Sequence, residues 1–330
     1  MKYSNLKRFM NRRARFKVNL MRRKILITGV SGCIGQAMAA HLSSCTKDRV
    51  LGADMKLPAA STCEFFAMDL LDQAAVTAFL RHQRPQWIFH LAGGRLADPQ
   101  VMFRANVVTT QVLLGAILMI KGYRPRVVSV GTAAEYGECS GRGLITEKTS
   151  GDVKGFYGVC KSLQTRTALY FASLGVDVVV ARLFNMLGPG VTPVTAGGKY
   201  AREIVRVERH ISESEALVGH LRAVRDFLDI RDICAALCAL AGRGAPGEVY
   251  NVCSQRGVTM RYVVAQMLRA SVKGGITARE DLRQDPGVPF AVGSCAKLKK
   301  ATGWRPRYSL RDSAADTLAW YRTNTPERQG

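Results

Sequence analysis

The sequence has no Cys-x2-Cys pair, and its nine cysteines are scattered from position 33 to position 295. An odd number without paired spacing argues against a disulfide framework, and the missing pair argues against a zinc ribbon. Scattered cysteines of this kind are typical of a reducing compartment. We therefore predict a cytoplasmic protein without a metal site.

A secretory signal is also absent, because the N-terminus lacks an apolar core. We interpret the longest apolar run, residues 107–120, as too short and too polar to span a bilayer. Residues 1–24 lack acidic side chains and contain ten of the lysines and arginines, so the formal net charge of +23 falls to +13 for the remainder. We interpret residues 1–20 as a basic disordered leader. No basic surface interleaved with aromatic residues follows, so neither nucleic acid nor a membrane is predicted as a partner.

Short β-branched runs alternate along the chain with longer segments of helical periodicity. This alternation predicts a parallel sheet with helices on both faces, which is a doubly wound α/β fold of the Rossmann type. Strands are predicted over residues 24–28, 49–53, 64–67, 87–90, 126–130, 176–181 and 247–253, and helices over residues 35–44, 73–84, 99–121 and 157–173. Glycines and prolines at 187–198 mark the entry into a smaller C-terminal region.

The first predicted strand runs directly into GVSGCIG, with glycines at positions 29, 32 and 35. The missing side chains let the backbone approach a pyrophosphate, and the helix N-terminus offers N–H groups and a positive dipole end. Asp54, at the end of the second strand, can accept both ribose hydroxyls of NAD and would repel a 2′-phosphate. Lys56 could neutralise that phosphate, so NADP stays open. The alternative is a glycine-rich turn that only packs.

Taken in order, the motifs resemble those of the extended short-chain dehydrogenase/reductases that modify sugar nucleotides, from about residue 23 almost to the C-terminus. The resemblance is carried by GVSGCIG, MDL (68–70), HLAGG (90–94), NVVTT (106–110) with a structural Asn106, VSVGTAAEYG (128–137), YGVCK (157–161) and RLFNMLGPG (182–190). It implies an NAD site made of Gly29, Gly32, Cys33, Ile34, Gly35, Asp54, Asp69, Leu70, Leu91, Ala92, Gly93, Tyr157 and Lys161. We divide the chain into an NAD-binding domain (21–185) and a mostly substrate-binding region (186–330), of which 220–253 return to the sheet.

In this context the Tyr-x3-Lys pair is predicted to be catalytic. Tyr157 and Lys161 lie one turn apart on one helix face, and Thr132 follows the neighbouring strand. We expect Tyr157 to exchange a proton with a sugar hydroxyl or ketone. The Lys161 ammonium would lower the pKa of Tyr157 and hold the nicotinamide ribose. Thr132 would bind the reacting oxygen. The alternative is that both helix residues are surface side chains.

The resemblance places Asn185 and Arg225 near the phosphates of the substrate. An arginine suits that position because its planar fork binds phosphate oxygens in pairs, although an ion pair with Asp229 or Asp232 is equally compatible with the sequence. Of the remaining candidates, we interpret His90 as structural and Cys160 as a packing residue. Glu135 and Glu138 are interpreted as solvated loop carboxylates that could otherwise serve as extra acids or bases.

The resemblance is closest in appearance to reductases of GDP-4-keto-6-deoxyhexoses. Relatives that dehydrate sugar nucleotides carry acids where this chain has Ala133 and Ala134. We predict an NAD(P)-dependent oxidoreductase that acts at C4 of a nucleotide-linked sugar, as a 4-keto-6-deoxy sugar nucleotide reductase. Alternatives are an epimerase or a non-standard dehydratase with tightly bound NAD, and a non-catalytic NAD-binding scaffold. QDPGVPF lacks an arginine that relatives carry, so a nucleoside substrate stays open. Helices 99–120 and 157–173 are predicted to pair two subunits.

Overall fold

The computed structural model describes residues 22–57, 62–139, 141–209, 215–281 and 287–325. The predicted leader at 1–20 lies outside this part of the chain. A parallel sheet of seven strands, flanked by helices, forms the larger part of the structure. The doubly wound α/β fold predicted from the sequence is therefore confirmed.

The strands of the large sheet are short runs of β-branched and other apolar residues, buried on both faces where the sheet is central. All seven predicted strands form, and three extend further than predicted, to Asp54, Thr132 and Leu183. The strands are β1 (Lys24–Thr28), β2 (Arg49–Asp54), β3 (Glu64–Ala67), β4 (Trp87–His90), β5 (Arg126–Thr132), β6 (Val178–Leu183), β7 (Asn185–Leu187), β8 (Glu215–Val218), β9 (Val224–Asp229), β10 (Val249–Val252), β11 (Gly257–Thr259), β12 (Thr277–Glu280) and β13 (Phe290–Ala291).

Side-chain caps begin many of the helices, since Asp72, Thr195, Asp229 and Ser309 each accept a hydrogen bond from a backbone N–H of the first turn. The helices are α1 (Cys33–Cys45), α2 (Gln73–Gln83), α3 (Pro99–Phe103), α4 (Thr109–Met119), α5 (Gly155–Ser173), α6 (Ala196–Glu208), α7 (Ile230–Arg243), α8 (Met260–Arg269), α9 (Ala296–Thr302) and α10 (Leu310–Asn324).

The helix predicted over 99–121 is interrupted, because a π-helical turn, Arg104–Val108, separates α3 from α4. The whole segment Pro99–Met119 is long and apolar enough to cross a membrane, so our interpretation of this region as too short and too polar was wrong. That interpretation missed the first turns of the segment, which begin eight residues before the apolar run at 107. More than half of its most apolar window is buried inside the protein, as in the core helix of a globular fold.

The strand order of the large sheet is β10-β6-β5-β4-β1-β2-β3. The order reverses between β1 and β4, because the chain runs outward through β2 and β3 and then crosses back to pair β4 with β1. In open α/β sheets a crevice forms outside the carboxyl ends of the strands at such a reversal. The fold therefore places the ends of β1, β4 and β5 around one opening.

The C-terminal region has its own apolar core, in which α6, α8 and α10 pack together. Two small sheets accompany it: β11, β9 and β13 form one with β7 attached to β9, and β12 pairs with β8. Between these elements the chain sends β10 back to the large sheet, where it pairs with β6. Asn185 begins β7 and is separated from the end of β6 by Phe184 alone, so the joint between the two regions lies beside the crevice.

Candidate active site

Two adjoining cavities lie at the carboxyl ends of the strands. The first has a volume of about 500 Å³ and contains Thr132, Tyr157 and Lys161. The second has a volume of about 440 Å³ and contains Asp54 and Asp69. The residues that line both cavities are Gly29, Gly32, Leu91, Gly93 and Leu96. The glycine turn and the loop after β4 therefore separate a pair of spaces that together suit an elongated ligand.

The glycine turn is packed so closely that side chains are excluded. A Cβ on Gly29, whose φ is +72°, would lie 2.5 Å from the backbone nitrogen of Ala92, and one on Gly35 would lie 2.2 Å from the carbonyl oxygen of Gly29. Gly32 begins α1 without a side-chain cap, so the helix N-terminus is open to the first cavity beside Cys33 and Ile34. Tight packing of the turn against β4 and an open helix terminus fit a pyrophosphate group.

Asp54 ends β2 and ties the glycine turn in place. One carboxylate oxygen accepts a hydrogen bond from the Ser31 N–H at 3.0 Å, and the other accepts one from the Met55 N–H at 2.8 Å. The residue also lines the second cavity, as the NAD prediction requires. Lys56 is exposed and does not line this cavity, whereas Arg104, from the π-helical turn, does. The cation that the sequence interpretation missed is therefore Arg104.

The remaining predicted cofactor residues gather around the same two spaces. Asp69 lies at the start of a turn in which its carboxylate accepts the N–H of Leu71 at 2.9 Å. The loop after β4 has two glycines with positive φ, Gly93 at +114° and Gly94 at +147°. The predicted residues that line the second cavity are Gly29, Gly32, Asp54, Asp69, Leu70, Leu91, Ala92 and Gly93, and those that line the first include Cys33, Ile34, Gly35, Tyr157 and Lys161.

Thr132 and Tyr157 lie on the wall of the first cavity. Thr132 is the last residue of β5, and its hydroxyl accepts the N–H of Ala134 at 3.4 Å. The pKa of Tyr157 is raised, because burial disfavours the phenolate; the largest opposing charge is the guanidinium of Arg95, and the Thr132 hydroxyl also opposes the rise. Lys161 is not among the largest influences on this pKa, so a lowering of the pKa by Lys161 together with the bound nicotinamide stays a prediction.

Lys161 is buried, and its ammonium group has hydrogen-bond partners other than the tyrosine. Its Nζ donates hydrogen bonds to the carbonyl oxygen of Val130 at 2.6 Å and to Oε1 of Gln164. Burial lowers the pKa of Lys161 to about 8, with Glu135 acting in the opposite direction. The lysine still lines the first cavity. It is thus an anchored donor rather than a mobile surface cation.

Glu135 differs from its interpretation as a solvated carboxylate. Its side chain is fully buried, and one oxygen accepts the N–H of Thr132 at 2.7 Å. The other oxygen accepts hydrogen bonds from Thr165 Oγ1 at 2.7 Å and from Arg182 Nε at 2.8 Å. The carboxylate therefore fixes the end of β5 against α5 and β6. Glu138, by contrast, is exposed.

Asn185 and Arg225, the predicted substrate residues, are placed differently. Asn185 lines the first cavity, and its amide donates to the carbonyl oxygen of Asp226 at 3.1 Å. Arg225 is half-buried, donates to the carbonyl oxygen of its neighbour at 3.0 Å and does not line that cavity. It pairs with neither suggested acid, because Asp229 binds Arg231 and the carboxylate of Asp232 accepts backbone N–H groups. The ion-pair alternative is excluded.

His90 is buried below the cavities and bridges two threonines. Its ring nitrogens lie 2.8 Å from Thr28 Oγ1 and 2.9 Å from Thr110 Oγ1. Burial, followed by the charge of Lys161, lowers the pKa of His90 to about 3. Cys160 is also buried, and burial raises the pKa of its thiol. Both residues have the structural environment that we expected.

Comparisons with known proteins agree with this geometry. A family model described as "NAD dependent epimerase/dehydratase family" matches residues 25–253. The chain is similar to GDP-6-deoxy-D-mannose reductase of Pseudomonas aeruginosa, with 26% identity over 315 residues that cover 93% of this chain and 100% of the relative. It is 30% identical over 304 residues to dTDP-6-deoxy-L-talose 4-dehydrogenase (NAD(P)(+)) of Kitasatospora kifunensis, covering 89% and 94%.

The fold is also similar to those of solved proteins. The structure of RMD from Pseudomonas aeruginosa, complexed with NADPH, matches with a TM-score of 0.79 and 26% identity, and the match covers 92% of this chain and 100% of that one. A UDP-glucose 4-epimerase from Thermotoga maritima, solved with UDP-glucose, has a TM-score of 0.80 at 20% identity, covering 92% and 100%. At that identity the second match describes the fold alone.

Proposed function

The chain belongs to the NAD-dependent epimerase/dehydratase family, and from that premise we propose that it reduces the C4 ketone of a 4-keto-6-deoxy sugar nucleotide. The chain is an NAD(P)-dependent oxidoreductase of the kind that acts at C4 of such sugars. One observation carries the proposal: Thr132, Tyr157 and Lys161 line one cavity beside the glycine turn.

The residues present fit a nicotinamide dinucleotide. The glycine turn leaves no room for side chains and presents an open helix N-terminus, which suits the pyrophosphate. Asp54 and Asp69 line the second cavity and offer acceptors for the adenosine half. Lys161, anchored at Val130, offers a donor for the second ribose. When bound, this cofactor supplies the hydride, which is the difficult step of the reaction.

The chain's own residues handle the oxygen of the ketone. The Thr132 hydroxyl donates a hydrogen bond to this oxygen and orients it in the first cavity. Tyr157 gives its proton to the same oxygen as the carbon becomes tetrahedral. Asn185 also lines the cavity and binds the sugar or its phosphates. Arg225 lies outside this cavity, and its assignment to the nucleotide end rests on the family resemblance alone. We assign residues 21–185 to cofactor binding and most of residues 186–330 to the substrate.

The surroundings of Thr132 favour reduction over dehydration. The two positions that carry acids in dehydrating relatives are Ala133 and Ala134, and the next residue, Glu135, has both oxygens bound by Thr132, Thr165 and Arg182. Among the described residues that line the first cavity, none has a carboxylate that could remove or deliver a second proton. An epimerase is the second candidate, since Asp54 favours NAD, the cofactor that self-recycling enzymes commonly hold.

We also propose that the protein is a cytoplasmic homodimer. Apolar side chains on α3, α4 and α5 are exposed, and burying them against a second copy would form a bundle of four helices. The exposed apolar residues of these helices are Val101, Phe103, Leu118, Met119, Phe156, Val159, Leu163 and Tyr170. Sedimentation at several protein concentrations tests the dimer, and a monomer at micromolar concentration would contradict it.

The reaction is tested by giving the purified protein a panel of 4-keto-6-deoxy nucleotide sugars with NADH or NADPH. We expect one reduced cofactor to be consumed for each product, with a mass gain of two hydrogens. Lys161→Ala is the matched negative control, because it removes the ribose donor from the same cavity. Product of unchanged mass without cofactor consumption would replace the reductase by an epimerase, and loss of water would indicate a dehydratase.

A further inference from the structure

An arginine from the loop after β4 reaches the catalytic cavity. Arg95 lines this cavity together with Thr132 and Tyr157, and its guanidinium carbon lies 5.2 Å from the centre of the Tyr157 ring. That distance is within the range of a cation–π contact. Within the described part of the chain, Arg95 takes part in none of the ion pairs. Its charge is therefore available to the cavity.

The loop that carries Arg95 is held by a buried side chain. Asn106 accepts a hydrogen bond from the N–H of Gly94 at 3.0 Å and donates one to the carbonyl oxygen of the same glycine at 2.9 Å. It also donates to the carbonyl oxygen of Met102 at 2.7 Å. A Cβ on Gly93 would lie 2.5 Å from the Asn106 Oδ1 atom, so only glycine fits there. This clamp fixes the residue directly before Arg95.

The other cation of the cavity is directed elsewhere. Lys161 uses its ammonium group for Val130 and Gln164, deep under β5. Because burial lowers the pKa of Lys161 to about 8, this side chain loses its charge in mildly alkaline solution. An arginine stays charged at every pH at which the protein is folded. Among the described residues that line the cavity, Arg95 is the one arginine, and its positive charge next to Tyr157 is permanent.

We propose that Arg95 supports catalysis through Tyr157, because its guanidinium stabilises the phenolate formed when the tyrosine protonates the substrate oxygen. The inference rests on the proposed reduction at C4. In that step the O–H bond of Tyr157 breaks and a new O–H bond forms on the ketone oxygen, while the adjacent carbon receives the hydride. The electron pair of the broken bond stays on the phenolic oxygen of the ring whose centre lies 5.2 Å from the Arg95 guanidinium carbon.

The charged groups around Tyr157 support this assignment. Burial is the largest cause that raises the pKa of Tyr157, and the charges of Glu135 and Cys33 raise it further. Arg95 is the largest influence in the other direction, followed by the hydroxyl of Thr132. Without Arg95, the largest influence that favours the phenolate would be lost, and burial and the charges of Glu135 and Cys33 would be opposed by the Thr132 hydroxyl.

The decisive measurement is the ionisation of the tyrosine itself. Fluorotyrosine is placed at position 157 only, where the electron-withdrawing fluorine lowers the pKa of the phenol. Fluorine NMR then follows the titration of this phenol while the protein is folded. We expect Arg95→Gln to move this titration upward by about one pH unit and Arg95→Lys to leave it near the wild-type value. Arg81→Gln, an equal charge change on exposed α2, is the matched control. An unmoved titration in Arg95→Gln would overturn the proposal.

Kinetics supply the second readout. In the oxidation direction the tyrosine acts as a base, so the rising limb of kcat against pH should shift upward in Arg95→Gln and return in Arg95→Lys. A change in KM alone would show that Arg95 binds a substrate anion instead, which also overturns the proposal. The NMR titration needs no substrate. If every sugar nucleotide is refused, the reductase proposal fails while the titration still decides the role of Arg95.

Discussion

The two walls of the crevice are each organised by a buried carboxylate, but the two carboxylates are compensated in different ways. On the catalytic wall, formed by the end of β5 and the start of α5, Glu135 forms an ion pair with Arg182 at 2.8 Å and also binds Thr132 and Thr165. On the substrate wall, formed by β7 and β9, Asp226 has no cationic partner among the described residues.

Asp226 relies on neutral donors instead. Ser254 donates to one oxygen through its N–H at 2.8 Å and its hydroxyl at 2.7 Å, and Gln255 and Gly293 donate their N–H groups to the other. Burial still raises the pKa of Asp226 to about 6. The catalytic wall is thus fixed by a charge pair, whereas the substrate wall contains a carboxylate that can gain a proton near neutral pH. We therefore expect the catalytic wall to keep its structure as the pH changes and the substrate wall to respond to pH.

The largest expected effect comes from removing the proton donor of the catalytic wall. Tyr157→Phe keeps the ring and should lower kcat by about 10²–10⁴ with the fold retained. Steady-state kinetics with circular dichroism measure both properties. Tyr170→Phe makes the same chemical change at an exposed position of α5 and should have no effect. Near-normal turnover of Tyr157→Phe would move the proton transfer to another group.

The charge pair of the catalytic wall is tested by Glu135→Gln, which leaves the Arg182 guanidinium without a counter-charge. Breaking a buried pair by removing one partner should destabilise the protein by about 3–5 kcal/mol. Denaturant unfolding measures the loss. The double change Glu135→Gln with Arg182→Met should recover part of it, since no unpaired charge stays buried. A loss below about 1 kcal/mol in the single variant would mean that the pair is no more valuable than a surface contact.

The histidine beneath the cavities should make stability depend on acid. The folded pKa of His90 is lowered to about 3, so the unfolded chain, with an ordinary pKa of about 6.5, binds a proton first as the pH falls. The contribution of neutral His90 to the free energy of unfolding is fully present above about pH 6.5 and is lost toward pH 3. The loss is about 2 kcal/mol between pH 7 and pH 5. His90→Gln should flatten this slope, and His82→Gln, on the exposed end of α2, should not.

Cofactor choice gives a smaller effect. We predict that NAD binds about tenfold more tightly than NADP, because a 2′-phosphate would lie beside the Asp54 carboxylate. Calorimetric titration with both cofactors measures the ratio. Asp54→Asn should reduce the preference for NAD over NADP. Arg104→Gln should increase this preference, because it removes the cation of the same cavity. Tighter NADP binding by the unaltered protein would show that Arg104 outweighs Asp54.

The smallest effect should appear on the substrate wall. As the pH falls through about 6, Asp226 gains a proton and loses one acceptor, so the segment 254–255 is held less firmly next to Arg225. We expect KM to rise roughly threefold over that range while kcat follows Tyr157 separately. Ser254→Ala, which removes the hydroxyl donor, should move the KM transition to higher pH. A KM that is independent of pH between 5 and 7 would contradict the comparison between the walls.

The features that the sequence predicts well are local ones. The strand, the glycine turn and the helix after it are consecutive, and Asp54 follows the next strand, so spacing is sufficient to predict them. Glu135 was misjudged because its partners Thr165 and Arg182 lie 30 and 47 residues away. A carboxylate in a short loop is normally solvated, and only the packing of β5 against α5 and β6 buries this one.

Two arginines also show that the sequence does not predict long-range contacts: Arg95 lines the cavity without having been predicted, and Arg225 was predicted but does not line it. Arg95 follows two glycines in an exposed loop. Its contact with Tyr157 depends on where α5 places that ring, and no local sequence pattern predicts this position. Arg225 matches a phosphate-binding position by resemblance, yet its guanidinium does not line the cavity. Residue type and motif order predict which groups are present, whereas long-range contacts decide which of them meet.

The π-helical turn Arg104–Val108 implies an insertion. A π turn contains one more residue than an α turn, so deleting one residue there would restore a regular helix at the cost of rotating α3 by about 100° relative to α4. Asn106 lies within the turn, and its amide would no longer point at Gly94. A single-codon deletion would thus undo, in one step, the loop geometry that carries Arg95 and the contribution of Arg104 to cofactor choice. Protein engineers who shorten loops to stabilise this chain should leave this turn at its present length.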